Sequence, residues 1–274
     1  MNGPALPRRL GSDPNLAAVG EWPGAASGLR ANEVHLWHAS VDPTDPLLAT
    51  MEALLSENER LRYTSFHFAA DRAAYLTARA LTRLALSRCT AVDPREFRFV
   101  TNRYGRPAIA IPARFRHLRF NISHTHGLVA CAIGLGLAVG VDVERNDRPA
   151  LGDDFVRAFL STHEYATLAD MQATNRHQRI IQYWTLKEAY AKALGVGLSL
   201  PFKSIELDLG GSIIRLRHDG LGAGGHRTWN FRFAPVAPGF TVAVVVGAAS
   251  GTDTKMILRR VAELGPPTIN TGGR

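Results

Sequence analysis

Apolar and polar residues alternate with a period of two in several short segments, which is the pattern of a half-buried β-strand. In the first half of the chain this pattern predicts a strand over 33–41, and we also expect strands over 97–100, 119–123, 128–134 and 137–144. In the second half, the segments SIELDL, IIRLRH, NFRFAPV and FTVAVVVG predict four more strands. Gly134 and Gly136 mark a tight turn between the last two strands of the first half.

Two longer segments repeat apolar residues every three to four positions and therefore predict amphipathic helices. The first spans 54–86 with a break around SFHF, and it places Arg72, Arg79 and Arg83 away from the apolar face. The second spans about 174–194 and is expected to stop at the following glycine, a residue type favoured just after a helix. Before this helix, the sequence STHE has the spacing of a capping box.

Helices and antiparallel strands thus occur twice, in two halves of similar size, and this order predicts an α+β fold. We expect two related α/β lobes, over 33–138 and 139–250, without a repeat that the sequence itself shows. Residues 1–32 are rich in Gly, Pro, Ala and Asn, and 251–274 contains GPPTINTGGR. Both of these terminal segments are predicted to be tails, the first of them flexible.

Charge and composition narrow the class of protein. The net charge of the 274-residue chain is +8 at pH 7, which suits nucleic acid, an anionic membrane surface, a polyphosphate ligand or an acidic protein. The two cysteines, Cys89 and Cys131, lack the spacing of metal ligands and are typical of a reducing compartment. No secretory or membrane-spanning segment is apparent, so we expect a soluble cytoplasmic protein.

Three carboxylates could share a metal ion. In the predicted strand GVDVE, Asp142 and Glu144 point to one face, where two anions repel each other. On the helix WTLKEAYAKALG, the residues Trp184, Glu188 and Lys192 follow one another at intervals of four. Each pattern alone is more often a solvated face or a surface ion pair. Converging carboxylates without His or Cys would instead suit Mg²⁺.

Two further segments could meet an anion. In FNISHTHG, Ser123 and His124 lie at the end of a strand and could hold a phosphate, although His124 could equally satisfy a local backbone group. No acidic residue is placed for a Ser–His–Asp triad. In NRYGRPAI, Gly105 allows a tight turn with Arg106 at its tip, where a guanidinium could bind phosphate.

Taken together, NRYGRPAI, FNISHTHG, GVDVE and WTLKEAYAKALGVGLSLP resemble the 4′-phosphopantetheinyl transferases in order and approximate spacing. The similarity covers roughly residues 33–248 and is with the longer, surfactin-synthetase-activating class, whose members are pseudo-dimers in one chain. It implies a monomer whose active site lies in the cleft between the two lobes. It also implies transfer of the phosphopantetheine arm of coenzyme A to a serine of an apo carrier protein, with release of adenosine 3′,5′-bisphosphate.

The resemblance also implies roles for individual residues. Asp142, Glu144 and Glu188 correspond to Mg²⁺-binding carboxylates. Glu188, directly or through a metal-bound water, is expected to take the serine proton, and Lys192 to meet a phosphate and support the leaving group. The catalytic residues that the resemblance implies are Glu188, Lys192 and His124.

The remaining assignments concern coenzyme A. Ser123 and His124 correspond to residues that meet its phosphates, and Arg106 stands where the family has Lys or Arg in a pyrophosphate-side turn. Candidates for the 3′-phosphate, by position only, are Arg62, Arg72 and Arg79. Thr125 and His126 differ from the Ser and Gly that other members often carry.

Two other classes of protein share parts of this pattern. A Mg²⁺-dependent nuclease or phosphodiesterase would also gather carboxylates and a lysine, but no basic stretch interleaved with aromatic residues is present for a nucleic-acid strand. A basic adaptor could carry Asp142 and Glu144 as mere surface charge, and substitution of Asp142 would separate it from both enzymes. The expected partners are acidic apo acyl or peptidyl carrier proteins and coenzyme A, with no nucleic acid and no membrane.

Overall fold

Two small sheets and two long helices form the centre of the computed structural model, which describes residues 29–219 and 227–260. Of the two predicted tails, the parts 1–28 and 261–274 lie outside the described residues. The helices are α1 (Leu48–Glu52), α2 (Glu57–Thr64), α3 (Ala69–Thr90), α4 (Asp153–Phe159), α5 (Thr162–Ala166) and α6 (Ala173–Leu194). None of the helices in this part of the chain is long and apolar enough to cross a membrane.

The strands form two main sheets and two hairpins. They are β1 (Glu33–Ser40), β2 (Arg98–Thr101), β3 (Pro107–Ile111), β4 (Leu118–Thr125), β5 (Leu128–Leu135), β6 (Ala138–Arg145), β7 (Ile205–Asp208), β8 (Arg215–Asp219), β9 (Arg227–Phe233), β10 (Phe240–Ala249) and β11 (Lys255–Arg260). The first sheet has the order β11-β1-β5-β4 and the second β6-β10-β9, while β2 pairs with β3 and β7 with β8. The mixed composition confirms the predicted α+β class.

The element order of the first half recurs in the second. The series β1, α3, the β2–β3 hairpin, β4 and β5 is matched by β6, α6, the β7–β8 hairpin, β9 and β10. The strand orders β1-β5-β4 and β6-β10-β9 match as well, and each is antiparallel throughout. This repetition is consistent with the expected pseudo-dimer.

Three apolar clusters hold four layers together. One cluster joins α3 to the first sheet and includes Leu81, Leu84, Phe120, Val129 and Ile133. Another joins α6 to the second sheet and includes Leu186, Tyr190, Ala243 and Val245. The third lies between the two sheets and includes Leu36, Ala130, Val141, Val143 and Val244. Since Val141 and Val143 point between the sheets, the alternate residues of β6 point toward α6, as the alternation predicted.

A glycine brings α6 unusually close to β6. A Cβ atom at Gly140 would lie 1.9 Å from the carbonyl oxygen of Ala189 and 2.5 Å from the backbone nitrogen of Ala193. Any larger residue there would force the helix away from the strand. The first residue of GVDVE therefore sets the distance between the two elements that carry the three carboxylates.

The local signals at α5 and α6 are confirmed. Ser161 and Glu164 form a capping box at the start of α5, with both reciprocal hydrogen bonds present. Helix α6 ends at Gly195, which has a φ of 76° and donates its N–H to the carbonyl of Ala191.

Two expectations were wrong. Arg83 was assigned to the polar face of its helix, but its side chain is buried and forms an ion pair with Glu59 at 2.5 Å. The segment 251–274 was predicted to be a tail, but Lys255–Arg260 forms β11, which pairs in parallel with β1. Both errors have the same cause, because in each case the stabilising partner lies far away in the sequence.

Candidate active site

Strands β4 and β6 and helix α6 bring together a serine, an aspartate and a lysine. Lys192 Nζ donates to Asp142 Oδ1 at 2.5 Å and to Ser123 Oγ at 2.9 Å. Ser123 Oγ in turn donates to Asp142 Oδ1 at 2.9 Å. The two strands are also tied by the Val141 N–H, which donates to the side-chain oxygen of Asn121 at 2.9 Å. Residues from three separate segments thus meet at one point.

Glu144 lies on the same side of β6 as Asp142 and is held by two donors. Trp184 Nε1 donates to Glu144 Oε1 at 2.9 Å, and Arg148 Nη1 contacts the same oxygen at 2.8 Å. Burial raises the pKa of Glu144, and the negative charge of Asp142 raises it further, while Arg148 and Trp184 oppose the change. The carboxylate is therefore anchored in a site that disfavours its charge.

Glu188 reaches the same region from α6. Burial raises its pKa, the charge of Asp142 and, to a smaller extent, that of Glu144 add to the increase, and Lys192 opposes it. The charges of the three carboxylates therefore act on one another. Among residues 29–219 and 227–260, no three His, Cys, Asp or Glu side chains are already arranged as a metal-binding group.

The chemistry of the donors nevertheless fits a hard cation. Asp142 is only 5% exposed, and within the described residues its Oδ2 has no hydrogen-bond partner. A buried oxygen of this kind is costly unless something positive or a donor meets it. Mg²⁺ prefers a small number of carboxylate oxygens together with water and phosphate oxygens. Asp142, Glu144 and Glu188 are the residues that could hold it.

His124 lies beside this centre, on the α3 side of β4. Its pKa is lowered by partial desolvation of the ring and then by the positive charges of Lys192 and Arg79, while Asp71 opposes them. A cavity of about 270 Å³ adjoins the ring and is lined by Asp71, Tyr75 and other residues of α3 and the β4–β5 turn. A neutral imidazole close to two cations can donate a hydrogen bond to an anionic ligand.

The three arginines that were candidates for the 3′-phosphate have different surroundings in the structure. The guanidinium of Arg79 lies 5.1 Å from the centre of the Tyr75 ring and acts electrostatically on His124. Arg62 instead lies over the ring of Phe66 at 5.0 Å, and Arg72 Nη1 donates to the Phe66 carbonyl at 3.1 Å.

Arg106 lies in the turn between β2 and β3, and its side chain contacts the C-terminal end of α6. Its Nη1 donates to the Ala193 carbonyl at 3.0 Å, and burial together with Arg119 and Arg227 lowers its pKa. These residues line a separate cavity of about 710 Å³.

Three residues around the site were not assigned by sequence reasoning. Trp184 was noted only for its helical spacing, and the contact of Arg148 with Glu144 was not foreseen. Lys187, next to Glu188, is fully buried and pairs with Glu164 at 2.6 Å. Its ammonium also donates to the carbonyls of Phe159, Phe202 and Ile205. For Lys187 the one available signal was its apolar surroundings in the sequence, because a charged residue in such surroundings requires a buried counter-ion.

Comparison with known proteins identifies the family. The description "4'-phosphopantetheinyl transferase superfamily" belongs to a family model that matches residues 138–245, and "4'-phosphopantetheinyl transferase, N-terminal" to one that matches 39–134. The chain is 29% identical over 181 residues to the 4′-phosphopantetheinyl transferase HetI of Nostoc sp., covering 66% of this chain and 76% of that protein. It is 28% identical over 197 residues to the transferase Sfp of Bacillus subtilis, covering 70% and 82%.

A third relative is the 4′-phosphopantetheinyl transferase pptA of Paxillus involutus, which is 32% identical over 188 residues. This match covers 63% of the present chain and 69% of the relative. The α+β fold and these matches define the chain as an enzyme of the transferase class. It belongs to the 4′-phosphopantetheinyl transferase superfamily.

Proposed function

We propose that this protein transfers the 4′-phosphopantetheine arm of coenzyme A to a serine of an apo carrier protein in a Mg²⁺-dependent reaction. The observation that carries the proposal is the contact of Lys192 with Ser123 and Asp142 at a point that Glu144 and Glu188 also approach. A pyrophosphate is the substrate group that such a mixture of carboxylates, ammonium and hydroxyl can accommodate through a shared cation.

The carboxylates would hold the metal. Asp142 Oδ2, Glu144 and Glu188 offer the oxygen ligands that Mg²⁺ prefers, and the bound ion would neutralise charge on the pyrophosphate oxygens. Neutralisation matters because three neighbouring carboxylates would otherwise repel an anionic substrate. The metal ligands also lie on two rigid elements, β6 and α6, whose separation is set by Gly140.

The proposed reaction forms one bond and breaks another at the phosphorus that carries the pantetheine arm. The carrier serine Oγ attacks this phosphorus, and the phosphoanhydride bond to the adenosine 3′,5′-bisphosphate leaving group breaks. Glu188 is the group best placed to accept the serine proton, because burial and its acidic neighbours raise its pKa toward the working pH. Lys192 and Ser123 donate hydrogen bonds that orient the phosphates and stabilise the departing oxygen.

The nucleotide end of coenzyme A needs a cationic surface. We assign it to the side of the centre where His124 and Arg79 lie next to the cavity on α3. Arg62 and Arg72, on α2 and α3, are further candidates for its 3′-phosphate. Arg106 is a candidate for the pyrophosphate only if it exchanges its hydrogen bond to the Ala193 carbonyl for one to a phosphate oxygen.

The partner would be an acidic apo acyl or peptidyl carrier protein. The net charge of +8 favours encounter with such a protein through long-range attraction. We further propose that the enzyme acts as a monomer in the cytoplasm, with lobes over 33–138 and 139–250. The element order that recurs in the two halves supports the proposed monomer.

The test is a direct transfer assay. Purified protein, coenzyme A and Mg²⁺ are incubated with a panel of apo carrier domains, and intact-protein mass spectrometry follows the addition of one phosphopantetheine per carrier. Removal of Mg²⁺ with EDTA should abolish the addition, and restored Mg²⁺ should recover it. The proposal fails if folded enzyme modifies no carrier, and its metal component fails if EDTA has no effect.

Matched substitutions connect the assay to the site. Asp142→Asn removes a carboxylate from the centre and should abolish nearly all transfer while the far-UV circular dichroism is retained. Asp170→Asn makes the same chemical change at an exposed residue of the α5–α6 connection and should leave transfer unchanged. Equal activity in both variants would contradict the role given to Asp142.

A further inference from the structure

The hydrogen bond from Trp184 and the ion pair with Arg148 fall on the same carboxylate oxygen of Glu144. Trp184 Nε1 and Arg148 Nη1 lie 2.9 and 2.8 Å from Oε1, and within the described residues no donor is found on Oε2. Two donors on one oxygen, approaching from α6 and from the loop after β6, restrict rotation of the carboxylate group. The second oxygen is thereby left available for another ligand.

The indole that provides one of these bonds is itself firmly held. The ring of Trp184 packs against Phe155, Phe159 and Phe202 at centroid distances of 5.3, 5.2 and 5.8 Å. Phe159 and Phe202 are buried, whereas Phe155 is 45% exposed and forms the outer wall of the cluster. Aromatic packing on several sides fixes the direction in which the N–H points.

The position of Trp184 in α6 couples two of the carboxylates. Trp184, Glu188 and Lys192 follow one another at intervals of four residues and so lie along one face of the helix. The indole reaches across to Glu144 on β6, while Glu188 and Lys192 extend toward Asp142. One rigid helix thus sets the position of Glu188 and, through the indole, the orientation of Glu144.

We propose that Trp184 is a positioning residue that, together with Arg148, turns Oε2 of Glu144 toward the metal site. The indole touches neither substrate nor metal and acts only through the carboxylate. The inference rests on the proposed function, since it assumes that Glu144 is a ligand of Mg²⁺. Hydrogen-bond partners that orient metal ligands typically change metal affinity by about 10–100-fold when they are removed.

The experiment measures metal binding directly. Trp184→Phe deletes the N–H but retains an aromatic ring within the Phe155, Phe159 and Phe202 cluster. Binding of Mn²⁺, an oxygen-preferring substitute for Mg²⁺, is followed by electron paramagnetic resonance of the free ion, without coenzyme A or carrier. We expect the Mn²⁺ affinity of Trp184→Phe to fall by about tenfold.

The matched control is Trp229→Phe. Trp229 also packs on an aromatic ring of α6, Tyr190, at 4.9 Å, but it belongs to β9 and is not among the residues that contact the three carboxylates. Its replacement should leave Mn²⁺ affinity at the wild-type value. A similar loss in both variants would show that any weakened packing of α6 suffices, and it would overturn the specific role of the indole N–H.

A second readout separates positioning from general damage. If Trp184 acts through metal affinity, the Mg²⁺ concentration for half-maximal transfer should rise by about tenfold in Trp184→Phe, while the rate at saturating Mg²⁺ recovers most of the wild-type value. A purely structural defect would lower the rate at every Mg²⁺ concentration. That result, at an unchanged Mn²⁺ affinity, would overturn the proposal.

Glu144→Gln distinguishes the failure of this inference from the failure of the proposed function. Loss of Mn²⁺ binding in Glu144→Gln together with wild-type binding in Trp184→Phe would leave the metal site standing and reject the positioning role. Unchanged Mn²⁺ binding in Glu144→Gln would instead remove Glu144 from the metal site and reject the basis of the inference. Thermal unfolding of each variant verifies that the compared proteins are folded.

Discussion

The two long helices share a buried ion pair but differ in the residues that follow it. Both α3 and α6 have 22 residues, and Arg83 and Lys187 occupy the same position counted from Ala69 and Ala173. Each of these buried cations forms an ion pair with the glutamate of a capping box, Glu59 at the start of α2 and Glu164 at the start of α5. The ion pair therefore belongs to the architecture of both halves.

The helix residues that follow the cation of this ion pair differ between α3 and α6. In α6 the next position is Glu188 and the position four further on is Lys192, whereas α3 has Leu84 and Arg88 at the corresponding places. The strand beneath α3 presents the buried Trp37 to the helix, while the strand beneath α6 presents carboxylates. The comparison indicates that the first half packs Trp37 between helix and sheet, whereas the second half carries the carboxylates proposed to bind the metal.

Breaking the buried ion pair of either helix should have the largest effect on stability. Removal of one partner of a buried ion pair costs about 3–5 kcal/mol, because the other charge remains buried without compensation. Lys187→Met should cost more than Arg83→Met, since the side chain of Glu164 is 0% exposed and that of Glu59 is 13% exposed. Urea unfolding provides the free energies. A larger loss for Arg83→Met would contradict the explanation by burial.

Substitution of Lys192 should separate the two helices by activity. Lys192→Ala removes the ammonium that contacts Ser123 and Asp142, and transfer is expected to fall by about 10²–10³-fold. Arg88→Ala makes the corresponding change in α3 and should leave transfer unchanged. Both rates come from mass spectrometry of the carrier. Comparable losses in the two variants would remove the functional distinction between α3 and α6.

The close contact of α6 with β6 can be disturbed through Gly140. Gly140→Ala inserts a methyl group where Ala189 and Ala193 lie, and the resulting overpacking should cost about 1–3 kcal/mol. Displacement of Glu188 and Lys192 by about 1 Å should also lower transfer by about 10²-fold.

Gly211→Ala serves as the control for Gly140→Ala, because the nearest atoms to a Cβ at Gly211 lie at an ordinary contact distance of 3.8 Å. Urea unfolding and the transfer rate of this variant should both match the wild type. Wild-type stability of Gly140→Ala as well would contradict the contact described between α6 and β6.

The smallest expected effect concerns Glu188 and pH. Burial and then Asp142 raise the pKa of Glu188 in the folded protein, so its contribution to stability is present at low pH and is lost as pH rises through that pKa. Glu188→Gln cannot ionise and should therefore have the higher Tm at about pH 7.5, with the difference closing at about pH 4.5. Glu96→Gln makes the same chemical change at an exposed position and serves as the control for the substitution itself. A lower Tm for Glu188→Gln at about pH 7.5 would reverse the sign assigned here.

The local parts of the fold were predictable because their causes lie within a few residues. Alternation predicted β4 and β6, an apolar run predicted β5, the capping box predicted the start of α5, and Gly195 predicted the end of α6. The common orientation of Asp142 and Glu144 also followed from the period of a strand. The prediction that Glu188 converges with these residues required the resemblance, since helical spacing alone cannot position α6 on β6.

The remaining features depended on partners distant in the chain. The burial of Arg83 depends on Glu59, and β11 depends on β1, which lies more than two hundred residues earlier. The bond of Arg106 to the Ala193 carbonyl likewise joins residues that are 87 positions apart. Side-chain direction at the tip of a hairpin is set by what the hairpin packs against, and residue type does not specify it.

By itself, the amino-acid sequence determined most of the helices and strands, the alternating faces of β6 and the order of motifs that marks the family, because each rests on short-range periodicity or on residue identity. Only the tertiary structure decided that Lys192 meets Ser123 and Asp142, that one indole and one guanidinium share a single oxygen of Glu144, and that a glycine sets the height of α6 above β6. These contacts join segments separated by tens of residues, and their geometry follows from how the layers pack.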